Sequence, residues 1–120
     1  MTPQRVLVVE PDRLLRALVA EWLEQVGICA EFPANGPSEA AATPGSVAAI
    51  VIDIPSPPHA DPVLRAWRRL FPSAAIIAAS ARFPSGDDAN DAMAGRLAVT
   101  KVLAKPFSRS QLYAALGVAK

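Results

Sequence analysis

The stretch Val47-Ala48-Ala49-Ile50-Val51-Ile52-Asp53 places six apolar residues in a row and closes them with a carboxylate. An unbroken apolar run of this length, without polar alternation, suits a strand buried on both faces inside a parallel sheet. A charge set directly after such a run is costly unless it is paired. Asp53 is therefore the end of a central strand and the first candidate functional residue.

Working outward, the same unit of short apolar run and amphipathic stretch recurs along the chain. Val6 to Val9 is a strand, and Leu14, Leu15, Leu18, Trp22 and Val26 then recur at helical spacing until Gly27. Ile28 to Phe32 is a weaker strand. Asn35-Gly36-Pro37 opens a short helix over residues 37–43, which Pro44-Gly45 closes. Asp61-Pro62 caps and starts the next helix, with Val63, Trp67 and Leu70 as its inner face. Ala75 to Ala79 is the fourth strand, and Ser85 to Asp88 has capping-box form ahead of a helix to Leu97. Lys101 to Ala104 is the fifth strand. Ser108 to Gln111 is another capping box, after which Leu112, Ala115 and Leu116 face inward and Gly117 ends the helix. Such alternation predicts an α/β three-layer sandwich, a parallel sheet with helices on both faces.

Size and composition bound the function. A chain of 120 residues is one domain, expected over 1–120, and 52% hydrophobic against 19% charged residues argues for a packed core. A net charge of +1 argues against general nucleic-acid binding. One Cys and one His exclude an internal disulfide, a multi-Cys zinc cluster and a two-His metal site. Cys29 reads as a buried small hydrophobe. No apolar run approaches the ~18 residues of a membrane span. The apolar run before Glu10 is only four residues long, Val6 to Val9, too short for a signal peptide, so a cytoplasmic protein without membrane insertion is expected. The end of the chain at Lys120, soon after Gly117, leads to the expectation of a stand-alone domain. Charge is split: seven acids and three bases in residues 1–60, four acids and nine bases in 61–120. Solvated faces explain this, or an acidic pocket early and a basic partner surface later. There is no Gly-rich dinucleotide fingerprint, phosphate loop or nucleophile elbow.

Four strands run into polar residues: Glu10, Asp53, Ser80 and Lys105. Parallel strands bring their carboxyl ends to one edge, where such sheets bind ligands. Paired carboxylates suit a hard cation such as Mg²⁺. A lysine and a hydroxyl hold phosphoryl oxygens, and an aspartate can become an aspartyl phosphate.

With these residues the chain resembles a bacterial response-regulator receiver domain of the chemotaxis type, over essentially its whole length. The matching stretches are Val6-Leu7-Val8-Val9-Glu10-Pro11-Asp12, Ala34-Asn35-Gly36 with Glu39-Ala40, Ile50-Val51-Ile52-Asp53 with Pro57, Ile76-Ile77-Ala78-Ala79-Ser80-Ala81, and Lys105-Pro106-Phe107. The resemblance implies a flavodoxin-like sheet of five parallel strands in the order 2-1-3-4-5. It implies a phosphorelay switch, not a turnover enzyme, in which Asp53 accepts a phosphoryl group from a sensor histidine kinase or histidine phosphotransfer protein. Lys105 and Ser80 contact that group. Glu10, Asp53 and the Pro55 carbonyl hold Mg²⁺. A downstream protein partner, no direct contact with nucleic acid and a possible homodimer complete the implication. A phosphorylation-independent interaction module of the same fold is the alternative.

The sequence departs from the family at several points. Pro11 stands where the second acid of the family pair is usual, and Pro55 has no N–H to offer a phosphoryl group. Prolines 55, 57, 58 and 62 stiffen the loop after Asp53. The segment from Ser80 to Lys105 is longer than usual, with the excess expected in Arg82–Asp87, and Val102 replaces the usual aromatic switch residue.

Overall fold

In the computed structural model, which describes residues 5–34, 36–41 and 46–118, a central parallel sheet carries helices on both faces. The strands are β1 (Arg5–Val9), β2 (Cys29–Glu31), β3 (Ala49–Asp53), β4 (Ala75–Ser80) and β5 (Lys101–Ala104), in the order β2-β1-β3-β4-β5. The helices are α1 (Arg13–Glu24), α2 (Pro37–Ala41), α3 (Asp61–Leu70), α4 (Asp87–Leu97) and α5 (Arg109–Leu116), with a 3₁₀ turn over Pro57–His59. The predicted fold class and strand order hold.

Strand alternation divides the interior in two. On one side Leu7, Ile50, Ile52, Ile76, Ala78 and Val102 pack against α2, α3 and α4 through Ala40, Leu64, Trp67 and Ala94. On the other, Val6, Val8, Val51, Ile77 and Leu103 pack against Val19 and Leu23 of α1 and Leu112 of α5. β3 is buried on both faces through Ile52, as its unbroken apolar run requires. The three-residue β2 is an edge strand, and Arg5 of β1 grips its Glu31 through two hydrogen bonds of 2.6 and 2.8 Å.

Several local expectations are corrected. The inner face of α3 is Leu64 and Trp67, not Val63 and Leu70, which are 47% and 41% exposed. α1 buries Val19 and Leu23 and leaves Leu14 outside. In both helices the apolar pattern is wider than the face the sheet covers, so periodicity alone misplaces the inward direction. Asp61 is the first residue of α3 and Ala60 its cap, since the 3₁₀ turn feeds directly into the helix. The capping box at Ser85 does not form: Gly86, at φ +110°, precedes α4 without a side-chain cap. The one at Ser108 forms as predicted, through Gln111 N–H to Ser108 Oγ and Ser108 N–H to Gln111 Oε1. Cys29 is exposed rather than buried, because β2 lies at the sheet edge. Asn35, Pro44-Gly45 and the end of the 37–43 helix lie outside the described residues. Gly27, at φ +75°, turns α1 into β2 in a conformation open to glycine, and Ile28 N–H closes the turn on the Leu23 carbonyl.

Candidate functional site

Glu10 follows β1, Asp53 ends β3, Ser80 ends β4 and Lys105 follows β5, all on the carboxyl edge of the sheet. Parallel register sets them there: Asp53 lies opposite Ala79, and Ser80 opposite Ala104. Ile54 N–H donates to the Ala79 carbonyl at 2.7 Å and Lys105 N–H to the Ser80 carbonyl at 2.9 Å, carrying strand pairing one step past the side chains of interest.

At the centre is a three-member ion cluster. Lys105 Nζ donates to Glu10 Oε1 and to Asp53 Oδ1, each at 2.6 Å. The side chains of Lys105, Glu10 and Asp53 are 18%, 7% and 14% exposed, so these are short charge-assisted bonds in a mostly dry setting. Burial works against the ammonium. The hydrogen bonds and charges of Asp53 and Glu10 outweigh it, and the Lys105 pKa lies above the usual lysine value. The remaining Glu10 oxygen, Oε2, accepts from Asp12 N–H at 3.1 Å.

Ser80 is 1% exposed, and its Oγ accepts from Arg82 N–H at 3.0 Å. The predicted acid, hydroxyl and lysine positions thus share one edge, and the structure brings three of them, Glu10, Asp53 and Lys105, into direct contact. Pro55 is exposed two residues beyond Asp53. Asp12, next to the missing second acid, caps α1 instead, accepting from Leu14 and Leu15 N–H at 2.9 and 3.1 Å.

For a divalent cation, the donor set fits in kind: two hard carboxylates, both bonded to one ammonium. It is not a dedicated cage, since among the described residues no group of three or more His, Cys, Asp or Glu is placed to hold a metal. Mg²⁺ characteristically uses one or two carboxylates and keeps several waters, so this smaller set matches its habits.

Two features escaped the sequence reading. Ser56 Oγ bonds His59 Nδ1 at 2.9 Å inside the 3₁₀ turn, tying down the loop after Asp53. Phe83 is 5% exposed in the long segment after Ser80 and packs on the α3–α4 side of the core. An aromatic residue within a Ser/Pro/Gly-rich loop was the available signal for that anchor.

No family model and no curated protein sequence matches the chain. The architecture is the fold of response-regulator receiver domains, and solved structures of that class overlay nearly the whole chain. One is the chemotaxis response regulator CheY4 of Vibrio cholerae, with a TM-score of 0.73 and 22% identity over 97% of this chain and 98% of that one. A sensor protein from Polaromonas sp. JS666 aligns with a TM-score of 0.70 and 26% identity, covering 95% of this chain and 93% of that one. A response regulator protein from Burkholderia pseudomallei, solved with a phosphorylated aspartic acid, a calcium ion and citrate, aligns with a TM-score of 0.68 and 21% identity over 94% of this chain and 66% of that one. Among the described residues no helix is long and apolar enough to cross a membrane.

Proposed function

We propose that the chain is a signalling receiver that accepts a phosphoryl group on Asp53 from a phosphohistidine and thereby changes its contacts with other proteins. The observation that carries this reading is the Lys105–Asp53 bond of 2.6 Å at the carboxyl edge, with Ser80 ending the adjacent strand. An Asp53 carboxylate oxygen attacks phosphorus, the phosphorus–nitrogen bond of the donor breaks, and the imidazole leaves with the electron pair. The product is a mixed anhydride, and the receiver does not turn over like an enzyme. Lys105 balances charge on the acylated oxygen side, and the Ser80 O–H is available to a phosphoryl oxygen while its lone pair takes the Arg82 N–H. Mg²⁺, held by Glu10, Asp53 and the Pro55 carbonyl, would supply further neutralisation of phosphoryl charge. A calcium ion and a phosphorylated aspartate in the Burkholderia regulator support a divalent ion in this role. The partners that follow are a histidine kinase or phosphotransfer protein upstream and a protein target downstream, in the cytoplasm.

Incubation with Mg²⁺ and acetyl phosphate, read by intact-mass spectrometry, tests this. The expected result is one phosphate adduct in the wild type and none in Asp53→Asn. A second reading, a receiver fold used without phosphorylation, is favoured by one observation: both Glu10 oxygens and the Asp12 carboxylate already have partners. No adduct in folded wild-type protein selects it.

A further inference from the structure

Helix α3 reads Asp61-Pro62-Val63-Leu64-Arg65-Ala66-Trp67-Arg68-Arg69-Leu70, and Leu64 and Trp67 take its inward face. Residues four apart share one face of a helix. Pro62, Ala66 and Leu70 therefore form a row on the side away from the sheet, and Arg65 and Arg69 form a second row beside it. The first row is apolar and the second is cationic. Pro37 and Ser38, at the start of α2, line the same space, a groove of about 390 Å³. That volume falls within the range of about 300–1,000 Å³ common to small-molecule sites.

The groove is shaped by stiff and small residues. Pro37 and Pro62 have fixed φ, so the start of each helix is pinned. Ala66 leaves room between Pro62 and Leu70 that a longer side chain would fill, and Leu70 is uncovered. Its polar groups are unspent. The Arg69 guanidinium and the Ser38 hydroxyl have no ion-pair or side-chain hydrogen-bond partner among the described residues. Arg65 is held by Asp61, but those side chains are 66% and 65% exposed, so the pair is weak and leaves Arg65 free to turn to another anion. Arg68 is excluded, since it reaches the Leu97 and Ala98 carbonyls at the end of α4. Among the residues lining the groove there is no carboxylate. The basic excess of the second half of the sequence thus surrounds an apolar floor here.

We propose that this groove binds a small organic anion: a carboxylate held by Arg69 and Arg65, on a short apolar body lying along Pro62, Ala66 and Leu70. A guanidinium fork matches a carboxylate in geometry as well as charge, and Ser38 offers one further donor. The two rows set two requirements. An anion without an apolar body leaves Ala66 and Leu70 wet, and an apolar molecule without charge leaves the arginines unpaired. The lining contains none of Glu10, Asp53, Ser80 and Lys105, so this site is separate from phosphoryl acceptance and stands or falls independently of it.

Titration of the isotope-labelled full chain with hydrocinnamate, followed by amide chemical shifts, tests the proposal. Saturable shifts should centre on Ser38, Arg65, Ala66, Arg69 and Leu70, with a Kd of about 1 mM for a ligand of this size. Hydrocinnamide keeps the body and loses the charge; acetate keeps the charge and loses the body. Each should bind about tenfold more weakly. Arg69→Gln should weaken hydrocinnamate about tenfold and leave hydrocinnamide unchanged. Ala66→Leu puts a good helix former at an exposed position and fills the groove, so it should abolish binding while its urea midpoint shows it folded. Absence of a saturable shift in the wild type up to about 20 mM overturns the proposal. So does hydrocinnamide or acetate binding as tightly as hydrocinnamate, or undiminished binding to folded Ala66→Leu.

Discussion

Glu31 shows how a single side chain can hold an edge strand. The Arg5 guanidinium bonds both of its oxygens and lowers its pKa below the ordinary glutamate value of 4.5. A lowered folded-state pKa contributes stability that is complete above the unfolded value and is lost as pH falls through the folded one. Glu31→Gln should therefore lower the melting temperature by a constant margin above pH 4.5, with the gap to wild type narrowing as pH drops below it. Thermal melts of both proteins across that range check this. Lys105 shows the opposite side of the same chemistry. Its ammonium gains more from Asp53 and Glu10 than it loses by burial, so its pKa is raised and the two contacts hold it in its charged form.

At the scale of elements, helix ends decide where strain sits. α4 ends at Ala98 in the left-handed region, φ +56°, where a Cβ is unfavourable by about 1–2 kcal/mol. The Arg68 side chain from α3 bonds the Ala98 and Leu97 carbonyls and helps hold that end in place. Ala98→Gly keeps the backbone and removes the clash. It should raise stability by about 1 kcal/mol in urea unfolding, with an unchanged slope. By contrast α5 ends on Gly117, at φ +71°, and Val118 N–H closes the turn on the Tyr113 carbonyl without that strain. The loop after Asp53 is an element in its own right: prolines, the 3₁₀ turn and the Ser56–His59 bond make it a stiff link from the site to α3.

For the whole molecule, the sheet is a partition. Residues of the α1–α5 side and the α2–α3–α4 side pack in separate clusters that share only backbone. Ile28 belongs to the first and Ile76 to the second. Ile28→Val and Ile76→Val should each cost about 0.5–1.5 kcal/mol, and the double variant should equal their sum to within about 0.5 kcal/mol. A double-mutant cycle in urea measures it; a larger coupling would mean that the two clusters respond as one. The same partition keeps Val102, 5% exposed, locked in the α3–α4 cluster. A small β-branched side chain there has no ring to swing outward; on the function proposed above, a signal from Asp53 would leave by another route, and the loop to α3 offers one.

The linear sequence determined the strands, their parallel arrangement and the residues at their carboxyl ends, because apolar runs and punctuation are local and strand direction follows from the alternation with helices. Asp53 was legible because a carboxylate after six apolar residues has few places to go. The resemblance carried by Lys105-Pro106-Phe107 supplied the strand order, which periodicity could not. Only the tertiary structure decided which stripe of a broadly apolar helix meets the sheet. It turned Leu14, Val63 and Leu70 outward in favour of Val19, Leu23 and Leu64, since the sheet covers one face and the backbone connection sets which. It also decided the partners of each charge: Glu10 to Lys105, Asp12 to the start of α1, Arg68 to the end of α4. Glu10 and Lys105 are 95 residues apart in sequence, and no local pattern encodes a contact that the closing of the whole sheet creates.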